Sequence, residues 1–123
     1  MATAAVELPL RLSIIIPTLN EADAIVQTLD RLQALRQRGH EVIVVDGGSD
    51  DNTIVLCTPL VDNVINNEAG RARQMNAGAK LSRGDVLWFL HADTLIEPDF
   101  DTFIINLMSK SKYQWGRFNV RLS

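Results

Sequence analysis

Short apolar runs alternate along this chain with segments of helical period. Four runs have the length and β-branched content of buried strands: residues 12–16, 42–45, 64–65 and 86–90. Between the first two runs, four apolar residues recur at spacings of three and four: Ile25, Leu29, Leu32 and Leu35. Because strands that alternate with helices are typical of parallel βαβ units, we predict an α/β fold. Its sheet is expected to be mostly parallel, with helices on both faces.

Local signals predict where the first helix begins and ends. Asn20 is a favourable N-cap, and Glu21 and Asp23 would lie in a first turn where the helix dipole favours acids. Gly39 follows the last apolar position and predicts the end of the helix.

Three more elements are predicted further along the chain. A second helix is expected over residues 70–81, with one set of side chains on the sheet and another accessible: Ala72, Met75 and Ala79 inside, and Arg71, Arg73 and Gln74 outside. A third helix is expected from Pro98, a favoured first-turn residue, towards Lys110. Alternation of apolar and polar residues over 115–123 predicts one more strand.

Length and composition predict a single globular domain over residues 1–123, because 46% of the residues are hydrophobic and 22% are charged. A net charge of −3 argues against a nucleic-acid partner. Cys57 is the only cysteine, which excludes an intrachain disulfide and favours a reducing compartment. We therefore expect a cytoplasmic protein. Association with the inner face of the membrane is compatible with the sequence, although no apolar run approaches the roughly 18 residues of a span.

Candidate chemistry follows the predicted strands. Four polar segments come directly after them: residues 17–21, 46–51, 68–71 and 91–93. In an open α/β sheet, ligands bind at the carboxyl ends of the strands, where loops and helix N-termini meet. The sequence therefore predicts a ligand site along that edge.

Each segment also has a purely structural interpretation. Asn20 and Glu21 are either helix-capping residues or ligand contacts, and the segment DGGSDDNT is either a turn with an Asx or Ser cap or part of the site. Arg71 lies either on a solvated helix face or at a helix N-terminus suited to phosphate.

His91 and Asp93 are two residues apart on chain predicted to be extended, so their side chains share a face. The pair is either a hydrogen-bonded structural feature or a pair of metal ligands. A carboxylate suits Mg²⁺ or Mn²⁺, and imidazole is accepted by manganese, with phosphate oxygens and water in the remaining positions.

Four motifs in order resemble the N-terminal half of family 2-like glycosyltransferases with the GT-A fold: PTLNE, VVDGGSDDNT, GRARQMNAG and LHAD. The resemblance covers about residues 13–99 and is strongest to a bacterial subgroup with HAD in place of the usual D-x-D metal motif. It implies a Rossmann-like sheet that binds a nucleotide-diphosphate sugar donor. It also implies a divalent metal, Mn²⁺ or Mg²⁺.

The resemblance assigns roles to particular residues. The nucleotide would lie against six of them: Pro17, Thr18, Glu21, Asp46, Gly48 and Arg71. Asp46 would contact the base, and Asp93 would be the main metal or diphosphate contact. His91 takes the position of the first aspartate of the usual motif, which implies a second metal-site residue.

Family members continue into a second half that binds the acceptor and carries the general base. We expect this chain to be truncated relative to them, as the donor-binding half without the acceptor half, and we identify no residue that matches the base.

The expected activity is transfer of a sugar from a nucleotide-diphosphate donor to an unknown acceptor. The alternative is a module that binds the donor without turnover and is completed by another chain or by self-association. A dinucleotide-dependent oxidoreductase and a P-loop NTPase are disfavoured, because neither G-x-G-x-x-G nor G-x-x-x-x-G-K-[ST] follows the first strand. A structural role, with an unpaired sheet edge promoting homo-oligomers, is a further hypothesis.

Overall fold

Four parallel strands form one sheet in the computed structural model of this chain, which describes residues 10–110. The strands are β1 (Leu12–Thr18), β2 (Glu41–Asp46), β3 (Asn63–Asn66) and β4 (Val86–Phe89), and their order in the sheet is β3-β2-β1-β4. All three neighbouring pairs are parallel. The four predicted strands and the parallel α/β class are therefore confirmed. The strand predicted over residues 115–123 lies outside the described residues.

Helices cover the sheet on both faces, as predicted. They are α1 (Ile25–Gln37), α2 (Thr53–Cys57), α3 (Arg71–Leu81) and α4 (Phe100–Lys110), with a 3₁₀ turn over Thr58–Leu60 after α2. Helix α2 was not predicted from the sequence, because five residues are too few for an apolar period to be recognised. The helix predicted from Pro98 begins at Phe100 instead.

The core is divided by the sheet. Alternate residues of β1 and β2, such as Ile14 and Val44, face a large cluster that includes buried residues of α1, α2 and α4. The intervening residues Ile15, Ile43 and Val45 face α3. Strands covered on both faces read as continuous apolar runs, which is why β1 and β2 were evident in the sequence.

The start of α1 differs from the prediction. The residue before its first turn is Ala24, no side chain caps the helix, and Glu21 and Asp23 precede it. Asn20 instead has a left-handed backbone with φ 55° and accepts a hydrogen bond from the Asp50 N–H at 2.8 Å. The Asn20 side chain, which local capping rules assign to the helix, is therefore hydrogen-bonded to a backbone group thirty residues away. Gly39, with φ 99°, does end α1 as predicted.

The sheet-facing side of α3 agrees with the prediction at Ala79, which packs with Ala77 against the buried residues of β1 and β2, but differs elsewhere. Its buried residues are Gln74 and Gly78, whereas Ala72 is exposed and Gln74 was expected to be accessible. A Cβ on Gly78 would lie 2.5 Å from Ile15 Cγ2 and 3.0 Å from Val45 Cγ2. The helix therefore approaches the sheet too closely for a side chain at that position, and its buried stripe is set by contact distance rather than by apolar content.

Candidate functional site

The carboxyl ends of the four strands lie along one side of the sheet, the carboxyl edge, because all pairs are parallel. Topology brings to this edge the residues predicted from the sequence: Pro17, Thr18, Glu21, Asp46, Gly48, Arg71, His91 and Asp93. Their side chains do not all face the surface, and they divide into a buried network and an exposed group.

Thr18 and Asp46 are the paired last residues of β1 and β2, and both are buried. The Thr18 hydroxyl donates to Asp46 Oδ1 at 2.8 Å. The Thr18 carbonyl oxygen accepts the Gly47 N–H at 2.9 Å. Pro17, half-buried, precedes this junction in β1. The first two strand ends are thus joined through both side chain and backbone.

The Asp46 carboxylate accepts three further hydrogen bonds from the turn that follows it. Oδ1 accepts from Ser49 Oγ at 2.6 Å, and Oδ2 accepts from the N–H groups of Gly48 at 2.9 Å and Ser49 at 2.7 Å. Burial alone would raise the pKa of Asp46, but the bonds from Ser49, Thr18 and Gly48 outweigh it and hold the pKa below its ordinary value. The ionised carboxylate is therefore the centre of a folded turn, in which Gly48 takes a φ of 103°.

The loops after β1 and β2 are joined by a second set of bonds. The Asn20 N–H donates to Ser49 Oγ at 2.8 Å, and the Glu21 N–H donates to Thr53 Oγ1 at 2.8 Å. Asp51 accepts the Thr53 N–H at 3.0 Å and the Ala22 N–H at 3.2 Å. These contacts support the interpretation of the segment DGGSDDNT as a stabilised turn.

Glu21 is held by this network beside a group of charges. Partial burial raises its pKa, the nearby carboxylates of Asp93 and Asp51 raise it further, and Arg71 opposes them. The loops after β1, β2, β3 and β4 are therefore close enough for their charges to interact. Three acids and one arginine meet at the carboxyl edge.

Arg71 is the first residue of α3, and its side chain reaches the loop after β4. Its Nη1 lies 3.4 Å from His91 Nε2, and both side chains are exposed. The guanidinium donates in this contact when the histidine is neutral with its proton on Nδ1. Arg71 is thus at a helix N-terminus, where the first backbone N–H groups have no partner within the helix, and this arrangement is suited to an anion.

His91 and Asp93 were expected to share a face of extended chain, but β4 ends at Phe89 and residues 91–94 form a turn. The Thr94 N–H donates to the His91 carbonyl oxygen across this turn at 3.1 Å, so the alternation of side chains along a strand does not apply to the pair.

Within residues 10–110, no three His, Cys, Asp or Glu side chains form a group that could hold a metal ion. Asp93 is nonetheless an exposed carboxylate whose negative charge, with that of Asp51, raises the pKa of Glu21. A hard divalent cation would relieve this repulsion, and ligand phosphates and water would supply the other positions. The residues present therefore fit a divalent ion that Asp93 contacts and that is held mainly by the phosphates of a bound ligand.

Two residues of this edge were missed in the sequence. Thr53 links Glu21 to Asp51, and Gln74 joins the ends of β1 and β2 to α3. In the sequence, the burial of Gln74 was indicated only by its position four residues before Gly78, on the same face of α3. Neither residue is apolar, so the hydrophobic pattern did not mark this face as buried.

The parallel sheet defines an α/β protein, and its carboxyl edge, with a glycine turn, several acids and an arginine at a helix N-terminus, is a candidate ligand site. Comparison with known proteins specifies the class further. Residues 13–119 match Glycosyl transferase family 2, and the chain belongs to this family. The HAD subgroup stays a prediction.

Curated relatives show the same family relationship. The chain is 32% identical over 92 residues to the poly-beta-1,6-N-acetyl-D-glucosamine synthase of Staphylococcus aureus (strain MSSA476), covering 70% of this chain and 22% of that protein. It is 38% identical over 93 residues to an uncharacterized glycosyltransferase of Mycobacterium tuberculosis (strain CDC 1551 / Oshkosh), covering 71% of this chain and 36% of that protein. The chain thus spans about a fifth to a third of the relatives it matches.

Solved structures confirm the predicted GT-A type of fold. S. aureus TarS superposes with a TM-score of 0.72 at 23% identity, over 81% of this chain and 32% of that one. Glucosyl-3-phosphoglycerate synthase from M. tuberculosis, solved with Mn²⁺, UDP and glucosyl-3-phosphoglycerate, gives a TM-score of 0.72 at 22% identity, over 84% of this chain and 41% of that one.

Proposed function

We propose that residues 1–123 form the donor-binding part of a glycosyltransferase that uses a nucleotide-diphosphate sugar. The observation that carries the proposal is geometric: the parallel sheet places Glu21, Asp93 and Arg71 after the carboxyl ends of three strands along one edge. The Arg71 guanidinium reaches the loop after β4, where it lies 3.4 Å from His91. Family membership supports the proposal, as do related folds solved with UDP in TarS and with UDP and Mn²⁺ in glucosyl-3-phosphoglycerate synthase.

In this proposal the exposed residues hold the diphosphate. The Arg71 guanidinium and the N–H groups at the start of α3 bind phosphate oxygens. Asp93 would hold a divalent cation, Mn²⁺ or Mg²⁺, and His91, two residues earlier in the same loop, is the second candidate ligand. When bound, that ion neutralises the charge that develops on the leaving diphosphate.

The nucleoside is proposed to lie against the loops after β1 and β2, near Pro17, Thr18, Glu21 and Gly48. Direct contact between Asp46 and the base would require the turn at Gly48 and Ser49 to move, because the carboxylate already accepts four hydrogen bonds and is fully buried. A role for Asp46 in holding the base-binding turn agrees better with these contacts.

The proposed reaction is attack by an acceptor hydroxyl on the anomeric carbon of the donor. The bond from that carbon to the acceptor oxygen forms as its bond to the diphosphate oxygen breaks, and the hydroxyl proton passes to a general base. Neither the base nor the acceptor is identified. Binding of the donor without turnover by this chain alone is the alternative.

Calorimetric titration of UDP and GDP, with and without Mn²⁺ or Mg²⁺, tests the proposal. We expect metal-dependent binding of at least one nucleotide that is at least about tenfold weaker in Asp93→Ala, since a charged ligand contact is removed. Asp30→Ala is the matched control, because Asp30 is an exposed acid on α1 and should leave affinity unchanged. A folded chain that binds neither nucleotide, or binds equally well without Asp93, would contradict the proposal. Transfer or hydrolysis of the sugar nucleotide then separates the enzyme from the binding module.

The proposal extends to location and assembly. A cytoplasmic protein, with the inner membrane face as its alternative site, is supported by the single cysteine, Cys57. No helix within residues 10–110 is long and apolar enough to cross a membrane. Self-association is supported by β4, since no described strand pairs with its outer side.

A further inference from the structure

Gln74 is a buried amide in the first turns of α3, with only 4% of its surface exposed. Its Nε2 donates to the carbonyl oxygens of Thr18 at 2.9 Å and Val45 at 2.8 Å. Its Oε1 accepts the Gly70 N–H at 3.1 Å. One side chain therefore satisfies backbone groups from the end of β1, the end of β2 and the residue before α3, and uses both of its N–H groups to do so.

The amide occupies a closely bounded space. A Cβ on Gly47 would lie 3.1 Å from Gln74 Nε2 and 3.2 Å from the Cα of Ala69. The backbone N–H of Gln74 also donates to the Gly70 carbonyl oxygen at 2.9 Å, so Gly70 and Gln74 are bonded in both directions. Gly70 itself has a φ of 143°, a conformation that favours glycine. Both the amide and the turn before α3 are thereby held in one arrangement.

The three backbone groups that Gln74 joins each adjoin a residue of the proposed donor site. The Thr18 carbonyl leads into the loop with Glu21, the Val45 carbonyl precedes Asp46, and Gly70 precedes Arg71. Arg71 makes no other described polar contact than the one at 3.4 Å with His91. Because Arg71 directly follows Gly70 as the first residue of α3, the turn that Gln74 holds sets where its backbone lies.

We propose that Gln74 is a positioning residue for the donor diphosphate: it fixes the N-terminus of α3, and with it Arg71, against the ends of β1 and β2. The inference rests on the proposed function. No direct contact between Gln74 and the donor is required, since the amide is buried and all its N–H groups are occupied.

Gln74→Met tests this role, because methionine has a similar length and helix propensity but forms none of the three bonds. We expect UDP to bind about tenfold or more weakly in the presence of Mn²⁺, as misplaced binding groups lose affinity steeply. Gln33→Met is the matched control. Gln33 Nε2 likewise donates to two carbonyl oxygens, of Leu29 at 2.9 Å and Leu60 at 2.8 Å, but on α1 away from the carboxyl edge. It should lower the melting temperature and leave UDP affinity unchanged.

A double-variant comparison separates positioning from general stability. If Gln74 acts in part through Arg71, the loss of UDP affinity in Gln74→Met combined with Arg71→Ala is smaller than the product of the two single losses. Losses that simply multiply, or a folded Gln74→Met with wild-type affinity, would overturn the inference. A wild-type chain that binds no nucleotide would instead refute the proposed function on which it rests.

Gln74→Glu provides a second variant if the methionine variant fails to fold. A carboxylate would face two carbonyl oxygens, whereas the protonated acid can donate to one of them. UDP affinity relative to wild type should therefore recover as pH is lowered from 8 to 6. A ratio that does not change with pH would count against the inference.

Discussion

His40 is buried at the amino end of the sheet, opposite the carboxyl edge. Its Nδ1 accepts the Leu12 N–H at 3.0 Å, and its Nε2 lies 3.0 Å from Asp101 Oδ2. Arg38 also pairs with Asp101, at 2.6 Å and 2.8 Å. Burial lowers the pKa of His40 despite the charge of Asp101, and the positive charges of Arg38 and Arg11 lower it further. The neutral ring, with its proton on Nε2, is the form that both contacts require.

Stability should therefore fall as pH is lowered from about 7 to 5. Because the folded pKa of His40 lies below its ordinary value of 6.5, the unfolded chain binds a proton in this range that the folded chain excludes. Urea unfolding at several pH values measures the slope. His40→Gln cannot titrate and should flatten it, although the variant is less stable at pH 7. An equal slope in the two proteins would refute this assignment.

The packing of α3 on the sheet is an example of an element placed by one small residue. Gly78 needs no unusual backbone, so its role is space alone: Ile15 and Val45 occupy the position where a Cβ would lie. Both neighbours are fully buried β-branched residues with little freedom to move. The same helix carries Gln74 and Arg71, so its distance from the sheet bears on the site.

Gly78→Ala should destabilise the protein. Overpacking costs about 1–3 kcal/mol, against a gain of up to about 1 kcal/mol in helix propensity. Chemical denaturation measures the net change. Asn76→Ala on the exposed side of α3 is the control and should be neutral or stabilising. A Gly78→Ala variant as stable as that control would show that the helix can move outward at no cost.

The assembled sheet leaves apolar surface at one side. On β4, Leu87 is 38% exposed and Phe89 is 41% exposed. Both lie on the face of the sheet that α3 covers over β1 and β2. Phe103 and Leu107 of α4, the helix that packs on the other face of the sheet, are also exposed. Uncovered apolar surface beside an unpaired strand favours association.

Light scattering over a concentration series tests the proposed self-association. We expect a dimer at high concentration and a shift towards monomer in Phe89→Lys, since a charge would have to be buried at the contact. Thr102→Lys, at an exposed position on α4, is the control for added charge. A wild-type monomer throughout the series would refute the proposal.

Much of this architecture was predictable from the sequence alone. Continuous apolar runs in β1 and β2 and the apolar face of α1 are local patterns, and they were enough to predict a parallel α/β sheet. A parallel sheet in turn places the ends of its strands together, so Glu21, Arg71 and Asp93 could be assigned to one edge without any knowledge of their contacts.

Only the tertiary structure decided how side chains at that edge are used. Asn20 was expected to cap α1 but binds the loop after β2, and Gln74 was expected in solvent but lies under the strand ends. Their partners are 30 and 56 residues away in the chain. Periodicity and capping rules describe neighbours within one or two turns, whereas a buried hydrogen bond depends on which distant backbone groups lack a partner after the sheet has formed.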